Sequence, residues 1–274
     1  MRFASSTETN RQPISLSPAP MIASSDLIAS LGMGAFCVVL LVSHRLAGAP
    51  DTYQRVKQQG STFFLGLNLM HAGYWMLQPV VRRCTKSGTQ PAVISWFSLV
   101  PALASAVAAA TGHWGWAAWC LLASALLDVL DGAVARALGE MSPGGAVLDS
   151  VLDRYAEFIF FAGVFVYYFA NLNAQLIILA ALMGSFLVTY STAKAEALNV
   201  TPPRGSMKRS DRLTVLIVGT AAAPLSLRWL ESPAHPIAWP VLVAMSLIAL
   251  FANVSAVRRF VVLAREADRT SRGN

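Results

Sequence analysis

Four aspartates interrupt an otherwise apolar stretch of this chain, at spacings that suit ligation rather than a solvated surface. Asp128 and Asp131 stand three residues apart, and Asp149 and Asp153 four apart, so on helices each pair points from one face. Gly139, Pro143 and Gly144, between the pairs, break helix and let the chain double back as a hairpin. The two carboxylate pairs then face each other. Carboxylates that close repel unless cations lie among them, and oxygen-only ligands select hard ions such as Mg²⁺, Mn²⁺ or Ca²⁺. A site for one or two divalent ions follows, with all four aspartates as candidate ligands.

Residue by residue the stretch reads Asp128-x2-Asp131-Gly132-x2-Ala135-Arg136-x8-Gly145-x3-Asp149-x3-Asp153. It resembles the signature of the membrane-embedded CDP-alcohol phosphotransferases. These enzymes move a phosphatidyl group from CDP-diacylglycerol, or a phospho-base from its CDP ester, onto an alcohol. The resemblance implies that Asp128, Asp131 and Asp149 hold Mg²⁺ or Mn²⁺. It makes Asp153 the general base, in contact with metal as well. It also implies that Gly132, Ala135, Arg136 and Gly145 meet the CDP-lipid, and that the protein is a homodimer. The residues themselves agree with this in part. Gly145, Asp149, Asp153 and Glu157 form one i+4 stripe, with glycine where a bulky nucleotide needs close backbone approach. The Arg136 guanidinium can fork onto two phosphate oxygens, or serve only as a charge that fixes topology.

Positioning such a site falls to membrane helices. Only 13% of the 274 residues are charged and 55% are hydrophobic, where soluble domains have roughly 25% and 45–50%. The predicted fold class is all-α: a polytopic membrane protein with a six-helix core at residues 89–265. Its apolar segments run over 92–110, 116–136, 146–170, 174–197, 213–230 and 237–263, each long enough to cross a bilayer. Two further helices precede the core. Residues 26–47 carry an apolar helix of spanning length, and 61–88 an amphipathic helix for the interface, with a basic end at Arg82, Arg83 and Lys86. Residues 1–25 read as a disordered tail, 48–60 as a polar loop, and 266–274 as a basic tail. Trp114, Trp116 and Trp119 read as an aromatic belt at the far interface.

The net charge of +7 gathers at alternate helix ends, so it reads as topology and anion binding rather than as nucleic-acid binding. The loops at 111–115, 171–175 and 229–236 have no Lys or Arg, which places the aspartates on the cytoplasmic side of a bacterial or archaeal cytoplasmic membrane. Three cysteines and four scattered histidines support neither a disulfide framework nor a histidine-led mechanism.

The segment before the fifth core helix carries Lys194, Arg209 and Arg212. It is similar to the phosphatidylinositol-phosphate synthase branch of the family. In that branch an Ala-Arg-Ala-Glu-Ala run is followed by an Arg-x-x-Arg pair that holds the acceptor's phosphate. Lys194 replaces the arginine of the run, and Thr192 stands where a lysine is expected. Cations at a helix N-terminus favour an anionic acceptor, inositol 1-phosphate first and glycerol phosphate second. The alternatives are an unphosphorylated alcohol such as serine or inositol, an intramembrane prenyltransferase, and, from another class, an ion transporter using the aspartates as a cation site. Prenyltransferases spread their Asp motifs over two halves of the chain, and a transporter leaves Gly132, Ala135, Arg136 and Gly145 unexplained.

Overall fold

In the computed structural model, residues 24–48, 66–198, 200, 207–231 and 236–272 are described. The expected tail up to residue 23 and most of the expected 48–60 loop lie outside them. All regular structure among the described residues is helical. Its elements are α1 (Ser24–Leu46), α2 (Gly66–Lys86), α3 (Pro91–Ala110), α4 (Trp114–Leu138), α5 (Pro143–Tyr167), α6 (Leu172–Ala197), α7 (Arg209–Trp229) and α8 (Trp239–Arg272).

Local chemistry sets the helix ends. Pro91 and Pro143 open α3 and α5, where the missing N–H costs nothing. The Ser142 hydroxyl accepts from Gly145 N at 3.0 Å, and Gly139 closes α4 at a left-handed φ of 72°. The α4–α5 turn is therefore short and fixed, as a hairpin carrying opposed aspartates requires. Two other helix starts are capped from a distance. Asp26 on α1 accepts from Gly115 N (2.8 Å) and Trp116 N (3.3 Å) at the head of α4. Glu231 accepts from Ile237 N, Ala238 N and Trp239 N ahead of α8.

The bundle's outer surface, unlike that of a soluble protein, carries large apolar side chains. On α3 the buried face holds Ser95, Ser98, Ala102, Ser105 and Ala106, while Trp96, Phe97, Val100 and Leu103 are more than half exposed. Lipid solvates such a surface, and small residues let helices close on one another. A Cβ on Gly163 of α5 would overlap Ala106 O of α3 at 2.3 Å. A larger core, with Phe160, Ile178, Met245 and Ile248 fully buried, joins α5, α6 and α8.

Six core helices form, as α3 to α8. Helices α1, α3, α4, α6 and α8 are long and apolar enough to span a membrane. Helices α5 and α7 match them in length, but Asp149, Asp153, Arg154 and Glu157 interrupt one and Arg209, Asp211 and Arg212 the other. The charges that build the site are what lower their apolarity. Helix α2 is not among the helices that are long and apolar enough to span. Two expectations change. The tail after residue 265 is not separate: α8 continues to Arg272 through Ala, Arg and Glu, and Arg269 pairs with Glu266 at 3.0 Å. Nor do the tryptophans form a belt. Trp114 is fully buried against Tyr167, and the Trp119 indole N–H donates to Ala29 O at 2.9 Å, which leaves only Trp116 facing outward.

Candidate active site

The hairpin does what the spacing requires. Asp128 and Asp131 on α4 and Asp149 on α5 bring carboxylate oxygens within 4.8 Å of one another. Oxygens each about 2.1 Å from one ion stand up to about 4.2 Å apart, so small side-chain adjustments suffice for a shared divalent ion. The all-oxygen, triply anionic donor set fits Mg²⁺ or Mn²⁺ and would suit a softer metal poorly. Asp131 is buried, and the Ser95 hydroxyl of α3 donates to its Oδ2 at 2.5 Å, which orients it toward its partners. Ser95 had no motif to reveal it in the sequence, since it lies 36 residues from Asp131.

The fourth carboxylate is not one of these three mutually close groups, although it is near enough to Asp128 to interact with it. Asp153 is held by Arg209, whose Nη2 lies 2.6 Å from Asp153 Oδ1 while its Nη1 lies 2.7 Å from Asp128 Oδ2. Arg209 is the first residue of α7, so a helix packed on α4 delivers a cation between an aspartate of the trio and the candidate base.

Arg212, expected beside Arg209, goes elsewhere. Its Nε and Nη2 donate to the two carboxylate oxygens of Glu157 at 2.8 and 3.1 Å, and its Nη1 donates to Met207 O at 3.0 Å. The residue is 1% exposed. All three donor groups are engaged, so Arg212 ties α7 to α5 and thereby sets where Arg209 emerges. Removing one partner of a buried pair leaves the other charge uncompensated, which costs about 3–5 kcal/mol. Arg212→Gln is thus expected to lower the melting temperature in detergent sharply, and Arg212→Gln with Glu157→Gln to recover part of the loss. Equal stability of Arg212→Gln and wild type would rule out this tie.

Lys194 is exposed near the end of α6 and does not line the cavity described below. Arg259 of α8 is buried, however, and its Nη1 donates to Thr192 Oγ1 at 3.0 Å. A cation thus reaches, from another helix, the position where the family pattern expects a lysine. Among the described residues its Nε has no hydrogen-bond partner.

The four aspartates and Arg209 line a cavity of about 780 Å³. Asp128, Asp131, Asp149, Asp153, Lys208 and Arg209 line its polar end, with Gly132, Ala135, Arg136 and Gly145 also on its wall. The opposite end is apolar and is formed partly by α1 and α2. One compartment therefore offers a carboxylate cluster, cations and an oily recess, a combination suited to a phosphorylated amphiphile.

A family model described as CDP-alcohol phosphatidyltransferase matches residues 89–249. The phosphatidylinositol phosphate synthase of Cutibacterium acnes is 29% identical over 201 residues, covering 70% of this chain and 94% of that relative. The archaetidylinositol phosphate synthase of Aeropyrum pernix is 34% identical over 175 residues, 61% of this chain and 82% of its own. Among solved structures, the phosphatidylinositol phosphate synthase of Mycobacterium tuberculosis with CDP-DAG bound superposes with a TM-score of 0.58 at 25% identity, covering 68% of this chain and 92% of that one. The same enzyme in complex with manganese and citrate gives 0.59 at 25% identity, over 68% and 87% of the two chains.

Proposed function

Because the chain belongs to the CDP-alcohol phosphatidyltransferase family, we propose that it transfers a phosphatidyl group from CDP-diacylglycerol to a phosphorylated polyol and releases CMP. The observation that carries this reading is the two-ended cavity, with grouped carboxylates and a cation at one end and apolar walls at the other. The relatives' names and the CDP-DAG complex of the mycobacterial enzyme support the same donor. Basic residues at alternate helix ends turn the polar end toward the cytoplasm.

In this reading Asp128, Asp131 and Asp149 hold Mg²⁺ or Mn²⁺. A bound divalent ion supplies charge neutralisation at the pyrophosphate oxygens of the donor. The acceptor hydroxyl attacks the β-phosphorus, the bond from that phosphorus to the CMP oxygen breaks, and CMP leaves. Asp153 takes the hydroxyl proton. Arg209 bridges Asp128 and Asp153, and a substrate phosphate that took over the guanidinium would leave Asp153 able to accept a proton. Gly132, Ala135 and Gly145 keep the walls bare beside the nucleotide, with Arg136 at its phosphates.

The acceptor is inositol 1-phosphate first and glycerol phosphate second. Arg209 and Lys208 line the cavity, and Arg212 and Arg259 are buried close enough to repel each other. Glu157 neutralises only one of that buried pair. Lys208 and Arg209, on the cavity wall, are the cations placed to form charge-assisted hydrogen bonds with an acceptor phosphate. Lys194, exposed at the end of α6, adds to the positive field rather than to a contact.

The test is CMP release by purified protein in liposomes with labelled CDP-diacylglycerol and a panel of acceptors. Inositol 1-phosphate should be used best. Arg209→Gln should raise the acceptor KM by about ten- to a hundred-fold, since a charge-assisted hydrogen bond contributes about 1.5–3 kcal/mol. Turnover of free inositol or serine alone, unaffected by Arg209→Gln, would overturn the acceptor while leaving the phosphatidyl transfer intact.

A further inference from the structure

The helix that precedes the catalytic core is built into the cavity wall rather than beside it. Helix α1 is pinned at several points. Asp26 caps α4, and its carbonyl comes so close that a Cβ on Gly115 would sit 2.2 Å away. Further along, Ala29 O accepts from the Trp119 indole, and Phe36 meets the Trp119 ring edge-on at 5.3 Å between centroids. At its far end His44 meets Trp75 of α2 at 5.9 Å. Rising numbers on α1 pair with rising numbers on α4, so the two helices run parallel. Phe36, Cys37 and Leu40 then face the same cavity as the aspartates, together with Met70 and Leu77 of α2.

Depth identifies what this wall meets. The cavity's lining on α4 begins at Leu122, six residues before Asp128 and so about 9 Å along the helix, which carries the apolar lining from the metal-binding end into a leaflet about 15 Å thick. With the donor's nucleotide and pyrophosphate at the polar end, as the function proposed above requires, the one part of the donor left to occupy this depth is hydrocarbon.

We infer that α1 is a selectivity wall of the donor site: Phe36, Cys37 and Leu40 pack against an acyl chain of the CDP-lipid and limit the chains that fit. The inference rests on that donor assignment, and it gives α1 a role in substrate choice that a mere membrane anchor would lack. The sequence alone makes the same helix an accessory, because every motif residue lies downstream of it.

Cys37 provides a direct probe. In a Cys84→Ser/Cys120→Ser background it is the sole thiol left, and its alkylation by N-ethylmaleimide can be timed in liposomes without reference to turnover. Dioleoyl CDP-diacylglycerol at about ten times its dissociation constant should slow alkylation about ten-fold, whereas CDP, which has no chains, should not. Alkylation slowed by neither, or equally by both, would overturn the inference. Leu40→Trp supplies a second measurement, because filling the channel penalises long chains most. The ratio of kcat/KM for dioleoyl over dihexanoyl donor should fall about ten-fold. An unchanged ratio would likewise sink the idea. If the unsubstituted protein released no CMP from either donor, the function proposed above would fall, and the wall with it. CMP release without protection of Cys37 would remove the wall alone.

Discussion

Asp149→Asn is expected to lower CMP release by about three orders of magnitude or more, because charge stabilisation at a transferring phosphoryl group is worth several kcal/mol. The carboxylate oxygens of Asp128, Asp131 and Asp149 lie within 4.8 Å of one another, and an amide keeps the shape of one ligand while removing its charge. The same loss should follow chelation of divalent ions by EDTA. Added Mg²⁺ or Mn²⁺ should restore the unsubstituted protein fully and Asp149→Asn only at far higher concentration, if at all. Asp128→Asn carries a second consequence, since it also removes one of the two carboxylates gripping Arg209. Asp131→Asn should behave more like Asp149→Asn, although it strips the Ser95 hydroxyl of its charged partner in a buried place. An inserted, monodisperse Asp149→Asn protein that released CMP at the unsubstituted rate would leave the carboxylate cluster without a role in the reaction.

Which parts of this site can be read from the chain depends on whether the cause is local. The aspartate spacing, the glycines and Pro143 act within one hairpin, so helical geometry alone brings Asp128, Asp131 and Asp149 together. Caps such as Ser142 and Gly139 act within a few residues for the same reason. Partners across the bundle leave no such period. Glu157 and Arg212 are 55 residues apart, and Asp26 and Gly115 are 89 apart. Each is one polar residue in an apolar background, with nothing in the spacing to say what it meets.

The Arg209/Arg212 pair shows how local reasoning misleads. Both stand in the first turn of α7, and both read as acceptor ligands. Three residues of helix turn the side chain by about 300°, so the two point about 60° apart. One enters the cavity and the other turns to α5. The tryptophans misled in a related way, because their composition fits an interfacial belt while α1 and Tyr167 claim two of the three. The role of α1 was illegible for a further reason: an apolar helix reads the same whether it faces lipid or the inside of a lipid-binding cavity.

Asp153→Asn separates proton transfer from metal binding. In the structure Asp153 is not within the group of three mutually close carboxylates, and the cation it meets is Arg209 Nη2 at 2.6 Å. A positioned general base contributes about 10²–10⁴ to the rate, so kcat should fall by that factor in the asparagine variant. The metal concentration giving half-maximal rate should stay near the unsubstituted value, which is where this variant parts from Asp149→Asn. Donor affinity should also be kept, because the amide still fills the space beside Arg209 and Asp128 still holds the other guanidinium nitrogen. Arg209→Gln offers the complementary measurement. It removes the cation proposed to meet the acceptor's phosphate, so its effect should appear in the acceptor KM more than in kcat. Were Asp153→Asn instead to raise the metal requirement as far as Asp149→Asn does, Asp153 would be a fourth ligand, and the proton would have to leave the acceptor hydroxyl by another group.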